Sequence, residues 1–120
     1  MIEIRRITAE EYLLASDLFN QYRMFYGKPS DKAVAEKYIH ERLLNNESVI
    51  FVALEQQDDK HVPAGFTHLY PTYSSVGATK NWILNDLYVD ADHRRKGIGE
   101  MLIRKAMEFA KENSAKEKRL

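Results

Sequence analysis

The run Leu84-Asn85-Asp86-Leu87-Tyr88-Val89-Asp90-Ala91-Asp92-His93-Arg94-Arg95-Lys96-Gly97-Ile98-Gly99-Glu100 decides the fold of this chain. Trp82 to Val89 reads as a long strand, and Asp90 to Arg95 as a polar turn. From Gly97 to about Asn113 the pattern is helical, with apolar rows Ile98, Leu102, Ala106, Phe109 and Ile103, Met107, Ala110. A strand therefore runs through a glycine-bearing basic turn straight into a helix. The first amides of a helix have no intrahelical partner, so they form a partly positive concavity suited to phosphate. Gly97 and Gly99 let a ligand approach the backbone, and Arg94, Arg95 and Lys96 add full charge beside it. The plainer alternative is a basic turn with a glycine-rich helix entry. A P-loop is excluded because its Gly-Lys-Ser/Thr ending is missing, and the dinucleotide fingerprint because Gly-x-Gly-x-x-Gly is absent.

Upstream of this run, residues 2–7 read as a strand, with Ile2 and Ile4 alternating with polar residues. Thr8-Ala9-Glu10-Glu11 is a capping box opening a first helix, whose apolar face is Tyr12, Leu13, Ala15, Leu18, Phe19 and Tyr22. Gly27-Lys28-Pro29 breaks it. Ser30 or Asp31 caps a second helix, with Val34, Tyr38, Ile39, Leu43 and Leu44 facing inward and Asn45-Asn46 at its end. Ser48 to Glu55 and Val62 to Tyr70 read as an antiparallel hairpin joined by the polar Gln56 to His61. Ser74 to Lys80 is a loop of small residues. Arg119-Leu120 could begin another strand. The order is β-α-α-β-β-β-α, an α+β layered arrangement, and no repeat or linker divides residues 1–120 into more than one domain.

The composition fits that reading. The 120 residues carry 18 basic and 18 acidic side chains, a balance that gives no reason to expect bulk nucleic-acid binding. The charge is nonetheless uneven: Arg94 to Leu120 holds nine basic and four acidic residues. A solvated basic helix explains this as readily as an anion site does. With no cysteine, disulfides, Cys-based zinc sites and a cysteine nucleophile are excluded, and the chain fits a reducing cytoplasm. No apolar run is long enough to cross a membrane, and Met1 to Arg6 lacks the apolar stretch of a secretory signal. His40, His61 and His93 show no metal-ligand spacing, so no metal is expected.

Arg94-x-x-Gly97-x-Gly99, preceded by Leu84 to His93, resembles the Arg/Gln-x-x-Gly-x-Gly/Ala signature of the GNAT superfamily of N-acetyltransferases, and the element order resembles that family along essentially the whole chain. The resemblance implies a mixed, mostly antiparallel sheet flanked by helices and binding of acetyl-coenzyme A. It implies that the amides of Arg95, Lys96, Gly97, Ile98, Gly99 and Glu100, with Arg94 alongside, hold the pyrophosphate. It also implies that the backbone of Leu87, Tyr88 and Val89 pairs with the pantetheine arm, and that the Val89 amide meets the negative charge of the reacting carbonyl. The resemblance implies that the acceptor is the primary amine of a small molecule, attacking the thioester directly; with no cysteine, an acyl-cysteine intermediate is impossible.

An ammonium must lose a proton before it can attack. Asp86 sits three residues before Val89, so strand alternation turns it to the opposite face, together with Tyr88. The stretches around Tyr70 to Tyr73 and Leu84 to Val89 resemble the polyamine and diamine acetyltransferase branch, where a Glu-Asp pair lies in this strand; here it reads Asn85-Asp86. Asp86 can bind a cationic acceptor and take its proton, or be a plain strand-end acid. His68, between Phe66 and Tyr70 at spacing two, is the other candidate base or a filler of a half-polar sheet face. Tyr12, Tyr22, Phe25 and Tyr26 could line an acceptor pocket or simply pack. Relative to the family pattern the chain is C-terminally truncated, lacking the fifth strand, the fourth helix and its tyrosine. That leaves the fourth strand as an apolar edge, for which a homodimer is the expected cover. Besides the enzyme reading, a catalytically inactive or incomplete acyl-coenzyme A-binding module fits the sequence. A nucleic-acid protein using the basic helix fits less well, because Glu100, Glu108, Glu112 and Glu117 intersperse its cations and no aromatic platform accompanies them.

Overall fold

The computed structural model describes residues 1–118, with side chains described through Asn113. Four strands form one sheet in the order β1 (Ile2–Arg6), β2 (Val49–Gln57), β3 (Lys60–Ser74) and β4 (Thr79–Val89). Every pairing among them is antiparallel, so the mixed character expected of the sheet is not present among the described residues. The short connections explain this: Asp58-Asp59 and Ser75 to Ala78 fold neighbouring strands back on each other, with Asp58 and Ala78 taking the positive φ such turns need. The strand that Arg119-Leu120 could begin lies outside the described residues.

The Thr8–Glu11 capping box forms, but it opens a 3-10 turn at Ala9–Glu11, and α1 (Leu13–Phe25) follows it. Asp31 caps α2 (Lys32–Leu44) by accepting from the Val34 amide at 3.1 Å, while Ser30 instead accepts from the Asn20 side chain. Both helices cover one face of the sheet, burying Ala15, Leu18, Phe19, Ala35, Ile39 and Leu43 over Ile50, Val52, Leu54 and Phe66. Helix α3 (Ile98–Lys118) covers the other face, seating Ile98, Leu102 and Ala106 on Val49, Phe51, Ala53 and Leu69.

Three helical faces differ from their expected apolar rows. Val34 and Leu44 of α2 and Leu13 of α1 are exposed, because α2 turns only the single row Ala35, Ile39, Leu43 inward and packs more extensively on α1 than on the sheet. On α3 the row Ile98, Leu102, Ala106 is buried, whereas Ile103 and Met107 reach solvent.

Gly65 sets how closely α3 approaches the sheet. A Cβ there would lie 2.9 Å from the Tyr88 carbonyl oxygen and 3.3 Å from the side chains of both Ile98 and Leu102. A backbone carbonyl within a paired strand cannot move aside cheaply. Gly65→Ala is therefore expected to destabilise the chain by about 1–3 kcal/mol, the usual range for overpacking, read as a lower urea midpoint at unchanged slope.

Candidate active site

The site is built where β4 ends and α3 begins. The Asp90 amide donates to the Ala64 carbonyl at 2.8 Å, and this bond fixes the phase of the β3–β4 ladder. Alternation then turns the N–H and C=O of Val89 and Leu87 away from β3, toward the side of β4 on which no strand pairs among the described residues. Tyr88 has the opposite phase: its carbonyl faces β3, so its backbone is not free to pair with a ligand. Its ring lies instead in an aromatic cluster with Tyr22 and Phe25, and its hydroxyl donates to Gln21 at 3.3 Å. Of the three strand residues expected to pair with the pantetheine arm, two present backbone groups to the edge.

After Val89 the chain turns through a 3-10 segment at Ala91–His93 and then curls. Arg95 has φ 68° and Gly97 has φ 77°, with Lys96 between them. Left-handed residues spaced this way bend successive amides into a concavity. The first helical bond runs from the Met101 amide to the Gly97 carbonyl, which leaves the amides of Ile98, Gly99 and Glu100 ahead of the ladder. Nothing lies within 4 Å of a Cβ built on Gly97, and Gly99 meets only Val89 at 3.8 Å, so the concavity is open.

The three cations of the turn do different things. Arg94 folds back: its Nε donates to the Val89 carbonyl at 3.0 Å, and its guanidinium lies over the Tyr88 ring. Lys96 reaches across to Glu55, 2.9 Å from both carboxylate oxygens. Arg95 is exposed and has no ion pair among the described residues. Glu100 pairs with Arg104 one turn along the helix. Buried His93 also binds Glu55 through Nδ1, so one carboxylate on β2 ties down both ends of the turn. Its lysine and histidine partners hold the Glu55 carboxyl below its ordinary value. This latch was not visible in the sequence, since Glu55 lies 41 residues from Lys96. Glu55→Gln is expected to loosen the turn and weaken acetyl-coenzyme A binding by roughly threefold to tenfold in calorimetric titration, the size of one lost charge-assisted contact acting through a loop.

On the opposite face of β4, Asp86 is buried beneath α1. The ladder pairs His68 with Asp86 and Leu69 with Leu84, leaving Asn85 as the extra residue of a β-bulge. The exposed Asn85 amide donates to Asp86 Oδ1 at 3.1 Å. His68 is fully buried; its Nδ1 lies 3.2 Å from Asp86 Oδ2, close in charge but off the line of a well-aligned hydrogen bond, and its Nε2 is 2.7 Å from Ser48 Oγ. Burial pushes the Asp86 carboxyl up, but its contacts with His68, Tyr22 and Asn85 outweigh this and hold it below the ordinary carboxylate value. Burial and the neighbouring Asp86 push the Tyr22 hydroxyl up to about 12. The site therefore combines an ionised, buried carboxylate on one face of the strand with outward amides on its edge. No group of three or more metal-ligating side chains occurs among the described residues.

Residues 12–120 match the model of the Acetyltransferase (GNAT) family. The chain belongs to the GNAT acetyltransferase family. It is 43% identical over 115 residues to an uncharacterized N-acetyltransferase, YhfO, of Bacillus subtilis, covering 96% of this chain and 74% of that one. It is 30% identical over 92 residues to a probable acetyltransferase of Haemophilus influenzae, covering 77% of this chain and 61% of that protein. A crystal structure of a probable acetyltransferase superposes with a TM-score of 0.84 at 38% identity, covering 92% of this chain and 72% of that one. The chain thus spans about three-quarters or less of these relatives, whose descriptions name no acceptor.

The GNAT turn fits the donor expected of an acetyltransferase. An open concavity of unpaired amides with the exposed Arg95 at its lip suits a pyrophosphate, and the edge-facing groups of Leu87 and Val89 suit an extended amide-bearing arm. Acetyl-coenzyme A, if held there, would supply an activated thioester.

Proposed function

We propose that this GNAT chain transfers the acetyl group of acetyl-coenzyme A to the primary amine of a small molecule by direct attack. The observation that carries the reading is the continuity of the outward backbone of Leu87 and Val89 with the amide concavity at Arg95 to Glu100, with ionised Asp86 on the adjoining face. The Arg95 to Glu100 amides bind pyrophosphate. The Val89 amide meets charge on the carbonyl oxygen, an oriented donor that needs no reorganisation during reaction. Asp86 draws in a cationic amine and accepts its proton, directly or through water. As the C–N bond forms and the C–S bond breaks, the departing thiolate takes a proton from solvent. Tyr22, Phe25 and Tyr26 at the end of α1 wall the acceptor side. With zero cysteines, no acyl-cysteine intermediate can form, and the chain suits a reducing cytoplasm. Among the described residues β4 pairs on one side only and Ile83 and Leu84 are exposed; in this reading a second copy of the chain covers them, and a monomer in sedimentation at micromolar concentration would count against the dimer.

Calorimetric titration of acetyl-coenzyme A, followed by a thiol-release screen of primary amines, tests the reading. Saturable binding near one per chain with turnover supports it. A second reading, an acyl-coenzyme A-binding module without chemistry, is favoured by neutral Asn85 standing beside Asp86 where the diamine-type pattern has an acid. Binding with no turnover across the amine panel selects that second reading.

A further inference from the structure

Asp86 does not stand alone. Behind it runs a buried chain of polar groups, Asp86–His68–Ser48, drawn from β4, β3 and the residue just before β2. His68 has no exposed surface and Ser48 is buried, so both are costly to keep polar unless they are partnered. Among the described residues His68 Nδ1 has no aligned acceptor, and the anion beside it is Asp86. A lone pair on Nδ1 pointed at an ionised carboxylate 3.2 Å away is repulsive, whereas an N–H there is attractive. Nδ1 therefore carries a proton; in the neutral ring Nε2 is then the acceptor, and the Ser48 hydroxyl, 2.7 Å away, is the donor that occupies it. The far side of Ser48 lines a cavity between β1 and α2 with Arg6, Thr8 and Asn46, away from the β4 edge, so Ser48 does not face the reacting groups.

We infer that His68 and Ser48 are positioning residues: Ser48 fixes the imidazole tautomer, and His68 in turn holds the Asp86 carboxylate oriented toward the acceptor face. The inference rests on the reading of Asp86 as the proton acceptor. Three observations support it beyond packing. The bulge at Asn85 is what brings Asp86 opposite His68. The chain ends on a residue with no other described side-chain partner than His68. The remaining titratable or charged groups around the pair, Tyr22 of α1, Tyr38 and Arg42 of α2 and Tyr70 of β3, do not supply Nδ1 with a competing acceptor: Tyr38 and Tyr70 bind each other, and Arg42 lies over the Tyr38 ring.

Nitrogen-15 NMR of the imidazole rings in the unmodified full chain tests the inference without reference to activity. His68, assigned by its loss in His68→Gln, is expected as the Nδ1–H tautomer. A Nε2–H tautomer overturns the inference, because His68 then donates to Ser48 and gives Asp86 nothing. With acetyl-coenzyme A and a primary amine from the panel above, Ser48→Ala is expected to lower kcat about tenfold, with KM for acetyl-coenzyme A unchanged. It should also move the acid limb of the rate profile to higher pH, and Ser48→Thr should restore both. A rate profile in Ser48→Ala superposable on that of the parent also overturns it. Asp86→Asn turning over like the parent, with the Nδ1–H tautomer intact, identifies the base assignment rather than the tautomer as the failed step.

Discussion

Replacing Gly97 and Gly99 together with valine is expected to reduce acetyl-coenzyme A affinity by at least about a hundredfold, a loss of about 2.7 kcal/mol of binding energy, while the fold persists. The two positions fail for different reasons. Gly97 holds φ 77°, where a β-branched residue is strained, so valine there drives the turn out of the conformation that curls the amides together. Gly99 has ordinary helical geometry, and its open surroundings would accept a side chain without clash. Valine at 99 instead fills the space through which an anion reaches the amides of Ile98 to Glu100. The open space at both positions is also why folding survives: neither side chain enters the core, which rests on Ile98 and Leu102. The comparison is calorimetric affinity against the thermal midpoint of the same samples. Unchanged affinity would remove the pyrophosphate role from this turn. A collapsed thermal midpoint would show that the turn supports the sheet instead.

The contrast between these glycines and the rest of the site shows where sequence was informative. The strand–turn–helix from Trp82 onward was legible because each signal in it is local: apolar alternation, two glycines two apart, then a 3.6-residue apolar row. The Thr8–Glu11 capping box was legible for the same reason, its partners lying three residues apart. The contacts that shape the site are not local. Asp86 meets His68 across a ladder whose register shifts at a bulge, and alternation counted along one strand cannot foresee that shift. Ser48, 20 residues from His68, was read only as the first residue of a strand, because a serine at a strand end is ordinary. Lys96 was read as a phosphate cation from its neighbours, yet its amine is engaged by Glu55 from the middle of the sheet. Tyr88 was grouped with Leu87 and Val89, although alternation of backbone direction, as firm a rule as alternation of side chains, already separated it from them. On α2, Val34 and Leu44 carried the apolar signal and face solvent, while Ala35, too small to register, is fully buried. Apolarity marks what can be buried; which row is buried depends on what the helix leans against.

Asp86→Asn is expected to lower kcat for acetyl transfer by about a hundredfold to ten-thousandfold, the span over which a positioned base contributes, with acetyl-coenzyme A affinity unchanged. Asparagine keeps the shape and removes the charge and basicity, but its single amide oxygen can face Asn85 or His68 and not both, so the variant also gives up one of the two oxygen contacts. The pH behaviour separates this from a general loss of structure. In the parent, His68, Tyr22 and Asn85 hold the Asp86 carboxyl below its ordinary value against the upward pull of burial. Asp86 is therefore ionised throughout the neutral range, and its acid limb in kcat/KM falls below the usual carboxylate region. A limb seen above about pH 5 then belongs to another group, the acceptor amine foremost. The same depression has a sign for stability. A carboxyl whose folded value lies below its unfolded value stabilises the fold above the unfolded value, and loses that contribution as pH falls through the folded one. The parent is thus expected to be more stable than Asp86→Asn at neutral pH, with the gap closing as the solution is acidified through the carboxylate range. If the variant is equally stable at pH 7 and its kcat falls less than tenfold, Asp86 is neither a held anion nor the base, and the proton of the amine leaves by another route.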